Sequence, residues 1–170
     1  MPHIVVEYSA NIRDRIDLPG LIDALHATAI ATGVFPPGGT RTRAAERTHY
    51  RIADGHPENA FVHVAMTIGA GRDAATKQRA AQAVFDALVA HLAPLYDSSP
   101  LGLSLELRES DPALSFKRNN LHDYVKARQA GKEMVWTPPL RRGVREQAGK
   151  VGPLDPTASK CQSGKCVNNP

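Results

Sequence analysis

The feature that most narrows the folds open to this chain is a repeat: a strand–helix–strand pattern runs twice through the first 110 residues. His3 to Tyr8 (HIVVEY) is short, apolar and β-branched, so a strand begins almost at the first residue. Asp17 is placed to cap a helix with Pro19 in its first turn. Leu18, Leu21, Ile22, Leu25, Ala29 and Ile30 recur at helical spacing up to a stop at Gly33. After the Phe35-Pro36-Pro37-Gly38-Gly39 turn, Arg41 to Ile52 alternates loosely and predicts a second strand, closed by the turn Ala53 to Pro57.

The second round follows the same order. Val62, Val64, Met66 and Ile68 share one face of a strand over Phe61 to Ile68. Beyond the tight connection Gly69 to Asp73, Ala81, Val84, Phe85, Leu88, Leu92 and Leu95 mark one face of a helix of about five turns. Leu101, Leu103, Leu105 and Leu107 then alternate with small or polar residues as a half-buried strand. The pair Arg13-Asp14 recurs as Arg72-Asp73, 59 residues later. Two such units predict an α+β fold, β-α-β-β-α-β, with a four-stranded sheet and two helices on one face. The bare face is expected to be apolar and covered by partner subunits.

Charge divides the chain in two. Residues 1–126 carry 13 Lys+Arg and 14 Asp+Glu, a net of −1, whereas residues 127–170 carry 8 and 3, a net of +5. The basic character therefore belongs to the tail, and the near-neutral body gives no electrostatic case for a nucleic-acid surface. The expected division is a folded domain over 1–126 and a basic Pro/Gly-rich tail over 127–170 without a packed core. No apolar run approaches the ~20 residues of a membrane span, and the N-terminus shows no signal-peptide pattern. Cys161 and Cys166 both lie in the tail, so a disulfide framework is not expected and a cytoplasmic setting is.

Among residue types that carry chemistry, Pro2 stands out. If Met1 is removed, which a small second residue generally permits, the strand would begin on a secondary amine. A free α-amino group titrates near ~8, and an apolar pocket disfavours its protonated form. Such an amine can be a general base at neutral pH without a histidine. His49, His63 and His122 lack paired ligand spacing, so no zinc or iron site is expected. Gly69-Ala70-Gly71-Arg72 lacks the further glycine of a dinucleotide fingerprint and the Lys-Ser/Thr ending of a P-loop. The Cys161–Cys166 spacing has no matching second pair.

Pro2-His3 leading into a strand, Asp17-Leu18-Pro19-Gly20-Leu21 and Ala31-Thr32-Gly33-Val34-Phe35-Pro36 resemble the 5-carboxymethyl-2-hydroxymuconate isomerases. So do Ala53-Asp54-Gly55, Ala60-Phe61-Val62-His63, Ile68-Gly69-Ala70-Gly71-Arg72 and Phe116-Lys117-Arg118-Asn119-Asn120. These enzymes are part of the tautomerase superfamily, and the ordered resemblance covers roughly residues 2–125. It implies a trimer with active sites near subunit boundaries and a cofactor-free proton shift by the amino-terminal proline on an unsaturated keto acid. It carries Pro2 over as the base and places carboxylate-binding arginines at Arg41 and Arg72, with Arg43 beside Arg41.

A multiply charged carboxylate suits planar, permanently charged guanidinium groups, which also favour the neutral amine and stabilise a dienolate. Two other readings of these arginines are a solvated strand face paired with Glu46 and, for Arg72, a turn beside Asp73. Phe35, on a loop, either walls the pocket or simply packs. The expected activity is therefore isomerisation of 5-carboxymethyl-2-hydroxymuconate, from the breakdown of homoprotocatechuate. The alternatives are a tautomerase for another keto acid and a non-catalytic trimeric binding protein.

Overall fold

The computed structural model describes residues 1–132, and the two cysteines and most of the basic tail lie outside the described residues. Four strands, β1 (His3–Ser9), β2 (Arg41–Arg47), β3 (Ala60–Gly69) and β4 (Leu101–Ser110), form one sheet in the order β2-β1-β3-β4. β1 runs parallel to β2 and antiparallel to β3, and β3 runs parallel to β4. The helices are α1 (Leu18–Ala31), α2 (Ala74–Tyr96) and α3 (Leu121–Gln129), the last continuing past residue 126. This is the expected β-α-β-β-α-β order.

α1 starts at the cap expected for it, and α2 starts on a second aspartate. The Asp17 carboxylate accepts from the Gly20 N–H at 3.1 Å, and Asp73 accepts from the Thr76 N–H at 2.8 Å. α1 ends at Thr32, whose hydroxyl donates to the Ala29 carbonyl, and Gly33 follows at φ 70°, the left-handed conformation that glycine reaches without a Cβ penalty. The repeat is not exact in space. A 3-10 turn over Ala10–Arg15 intervenes between β1 and the Asp17 cap, whereas Asp73 caps α2 directly. Arg13-Asp14 and Arg72-Asp73 therefore do not occupy equivalent positions.

The core lies between one sheet face and α1 and α2. Ile4, Val6, Val62, Val64 and Met66 meet Leu21, Leu25, Val84 and Leu88, all of them fully buried. Each such side chain contributes about 1.5–3 kcal/mol. The α2 stripe is turned slightly from the sequence expectation: Ala80 is buried, and Ala81 and Phe85 are half-buried.

Two further expectations are corrected. β2 stops at Arg47 rather than Ile52. Its sheet partner is β1, whose last paired residue, Ser9, faces Arg47 before the chain leaves the sheet in the 3-10 turn. The bare face of the sheet is also not apolar. Leu103, Leu105 and Leu107 register with Val62, Val64 and Met66 and so point to the helices. The opposite face carries His3, Glu7, Arg43, Arg47, His63, Ser104, Glu106 and Arg108, with Val5, Phe61 and Ala65 between them. Arg47 pairs with Glu7, and Arg108 with Glu106.

Candidate active site

The mixed sheet gathers the chemistry at one end. β1 and β2 begin where β3 and β4 finish, so Pro2, the Phe35–Thr40 loop, Arg72 and the segment after β4 converge there. Pro2 is buried, and its carbonyl accepts from the Arg41 backbone N–H at 3.1 Å, the first rung of the parallel β1–β2 ladder. A strand pinned from its first residue fixes the direction of the amine that precedes it.

The loop before β2 is built on carbonyls. The Gly39 N–H and the Thr40 hydroxyl both donate to the Pro36 carbonyl, at 2.9 and 3.0 Å. This closed turn buries Phe35, which is 2% exposed. It also aims the Gly39 carbonyl at Arg41, whose Nη1 donates to it at 3.0 Å and lies 3.1 Å from the Met1 sulfur. Arg72 is held the same way: Nη1 donates to the Gly69 carbonyl at 3.0 Å and Nη2 to the Val34 carbonyl at 3.1 Å. Its guanidinium carbon lies 5.4 Å from the centre of the Phe35 ring, a cation–π contact. Phe35 is thus a packed aromatic that also seats Arg72.

The readings weighed for these arginines separate in the structure. Glu46 pairs with Arg13 and accepts from the Tyr8 hydroxyl, because it lies on the helix-side face of β2 while Arg41 and Arg43 register with the opposite face of β1. Asp73 is engaged with Thr76, and Arg72 does tie the turn before it through the Gly69 carbonyl, while also reaching the Val34 carbonyl of the neighbouring loop. Arg43 is exposed, with its Nη1 3.2 Å from the His3 ring nitrogen Nδ1, one step outward from the convergence of Arg41 and Arg72.

One residue escaped the reading of candidate site residues. Lys117 is brought to the same place by the segment between β4 and α3, and a methyl group added at Gly69 would lie 3.7 Å from its ammonium nitrogen. The Asn119 side-chain amide donates to the Gly38 carbonyl at 2.9 Å. Gly38 itself abuts the backbone of His122, where a Cβ would come within 2.8 Å. No spacing in the sequence links Lys117 to Pro2, since they lie more than a hundred residues apart and meet only through this docking.

The electrostatics follow from the cluster. Burial, then Lys117, Arg72 and Arg41, hold the α-amino group of Met1 below the usual range. His3 is likewise held below the ordinary imidazole value, first by burial and then by Arg43 and Arg41. Among the described residues, no group of three or more His, Cys, Asp or Glu is placed to hold a metal ion. No helix there is long and apolar enough to cross a membrane. The arrangement can bind several carboxylates around an amine kept in its basic form.

Comparison with known proteins agrees with this geometry. A 5-carboxymethyl-2-hydroxymuconate Delta-isomerase of Escherichia coli is 43% identical over 126 residues, 74% of this chain and all of that protein. The crystal structure of a 5-carboxymethyl-2-hydroxymuconate isomerase from Deinococcus radiodurans R1 superposes with a TM-score of 0.69 at 36% identity, covering 73% of this chain and 93% of that one. A fused 4-OT, described as a symmetric trimer, shares the fold with a TM-score of 0.51 at 16% identity, over 72% of this chain and 98% of its own. The sequence model of the family 5-carboxymethyl-2-hydroxymuconate isomerase matches residues 2–125. With the family model matched over residues 2–125 and a relative 43% identical along its whole length, this chain belongs to the 5-carboxymethyl-2-hydroxymuconate isomerase family.

Proposed function

We propose that the protein isomerises 5-carboxymethyl-2-hydroxymuconate, with Pro2 as the general base once Met1 has been removed. The observation that carries this reading is the buried Pro2, next to the Met1 α-amino group that burial and then Lys117, Arg72 and Arg41 hold below its usual range. The substrate is a dienol with a hydroxyl at C2 and double bonds C2=C3 and C4=C5. The neutral amine of Pro2 takes the hydroxyl proton, and C2=O forms as the first double bond moves to C3=C4. The electron pair of C4=C5 then receives the proton from the proline ammonium at C5. The composition does not change, and one base serves both halves of the transfer.

Arg41 and Arg72 bind carboxylates of the substrate and stabilise the negative charge of the dienolate. Their fixed seats on Gly39, Gly69 and Val34 mean that little reorganisation accompanies charge development. Arg43 tunes the approach from its exposed position beside His3, and Phe35 closes the floor under Arg72. A keto–enol tautomerase for a related acid would use the same groups.

The catalytic unit is the folded body, which α3 extends to Gln129 beyond the expected limit of residue 126, acting in the cytoplasm as a homotrimer. Two things support the assembly: the fused 4-OT relative is described as a trimer, and the chain displays apolar groups along the β4 edge. Val89 and Tyr96 are 41% and 56% exposed beside a 490 Å³ groove that also includes Phe85, Leu101 and Leu103, and Leu114 and Phe116 are 77% and 92% exposed after β4. A second copy seated there would bury side chains that water otherwise meets.

Intact mass of the purified chain combined with turnover tests the base. A mass lacking Met1, and loss of activity when Pro2 is replaced by Ala, are expected. Full activity with Met1 retained would exclude the amine of Pro2, because its nitrogen would then be an amide.

A further inference from the structure

Lys117 is used by nothing described so far except the electrostatics of the amine. Among the described residues its charge has no carboxylate partner, and the ion pairs there join Arg13–Glu46, Arg47–Glu7, Lys77–Glu109 and Arg108–Glu106. Lys117 is exposed, but the segment that carries it is tied down. The Asn119–Gly38 hydrogen bond and the close approach of Gly38 to His122 fix its segment on the loop whose next residue, Gly39, seats Arg41. Its ammonium stands beside Gly69, whose carbonyl seats Arg72. Three cations thus meet at one end of the sheet, carried by β2, by the β3–α2 connection and by the segment after β4.

The substrate read for this site carries three carboxylates: two at the ends of the conjugated chain and one on the carboxymethyl arm. The two on the conjugated frame are directional, which suits the planar forks of arginine. The one on the arm turns about single bonds, which suits a point charge on a flexible stem. We propose that Lys117 binds the carboxylate of the carboxymethyl arm and sets the preference of the enzyme for a triacid over the corresponding diacid. This rests on the isomerase reading of the site and goes beyond it by assigning the specificity.

Steady-state kinetics of the full chain test it with two substrates: 5-carboxymethyl-2-hydroxymuconate and 2-hydroxymuconate, the same dienol without the arm. In Lys117→Met, kcat/KM for the triacid is expected to fall about 10–100-fold, chiefly through KM, the size of one lost charge-assisted contact. The diacid should lose far less, and Lys117→Arg should recover most of the triacid rate. Equal losses on both substrates, or none on the triacid, would overturn the assignment.

Calorimetric titration with propane-1,2,3-tricarboxylate against glutarate reads the same preference without turnover. Tighter binding of the triacid by the unaltered protein, lost in Lys117→Met, is expected. A protein that binds the triacid through Lys117 but turns over neither dienol contradicts the proline mechanism and leaves the assignment standing. One that isomerises normally with an unaltered triacid preference in Lys117→Met does the reverse.

Discussion

The two strand–helix–strand halves of the molecule bury their helices alike and share one sheet, but they are not alike at their ends. In the first half the chain enters β1 at the site end, so its opening residues are available for chemistry, and the loop into β2 brings Phe35 and Arg41 to the same place. In the second half β3 enters at the far end, where Asn59 is tied to Ile52 and Asp54, and only its exit reaches the site, through Arg72. The matched dipeptides make the point most directly. Arg13 pairs with Glu46 on an exposed edge at the far end, whereas Arg72 lies over Phe35 with both terminal guanidinium nitrogens fixed. A repeated pattern builds the scaffold, and the antiparallel turn of the second half lets it deliver a different group to the same end.

The sharpest way to break this comparison is to alter the entry of the first half. Pro2→Ala keeps an amine but loses its constraint, and kcat/KM should fall by ~10²–10⁴. An unchanged rate measured on the dienol substrate would remove the first half from the chemistry altogether.

Next comes the matched pair of arginines. Arg72→Ala should lower kcat/KM about 10–100-fold, while Arg13→Ala should stay within about twofold, as expected for an exposed ion pair away from the site. Equal effects in the same assay would show that the two halves contribute symmetrically.

The pH profile sharpens the electrostatic side. Burial and the cations hold the α-amino group of Met1 below its usual range, and the Pro2 amine that replaces it would start at the same end of the sheet, so the ascending limb of kcat/KM should lie below the ordinary α-amino value of ~8. Removing a cation relieves that pressure: Arg41→Ala and Arg72→Ala should each move the limb upward, so that more alkaline solution is needed for half-maximal kcat/KM. A limb that moves down, or stays, would place the base elsewhere.

Gly38→Ala tests the docking of α3 on the first half. The added methyl meets the His122 backbone, and a loss of about 1–3 kcal/mol in denaturant unfolding is expected. The smallest effect belongs to the tail: a chain ending after Lys132 should keep its melting temperature and kcat/KM.

Local order in this protein was legible because it depends on neighbours in the chain. The Asp17 cap, the Gly33 stop, the alternation of β3 and the helical stripes are all set by backbone sterics and by the need to bury one face, and these act over a few residues. The family resemblance carries Pro2, Arg41 and Arg72 as expectations, because an ordered set of motifs fixes where each falls along the chain, and Phe35 is read from its place on a loop. Three things required the tertiary structure. The end of β2 depends on where its partner leaves the sheet. The polarity of the bare face depends on the register that turns every β4 leucine toward the helices. The place of Lys117 depends on Asn119 and His122 closing onto Gly38, a contact between segments more than eighty residues apart that no local pattern encodes.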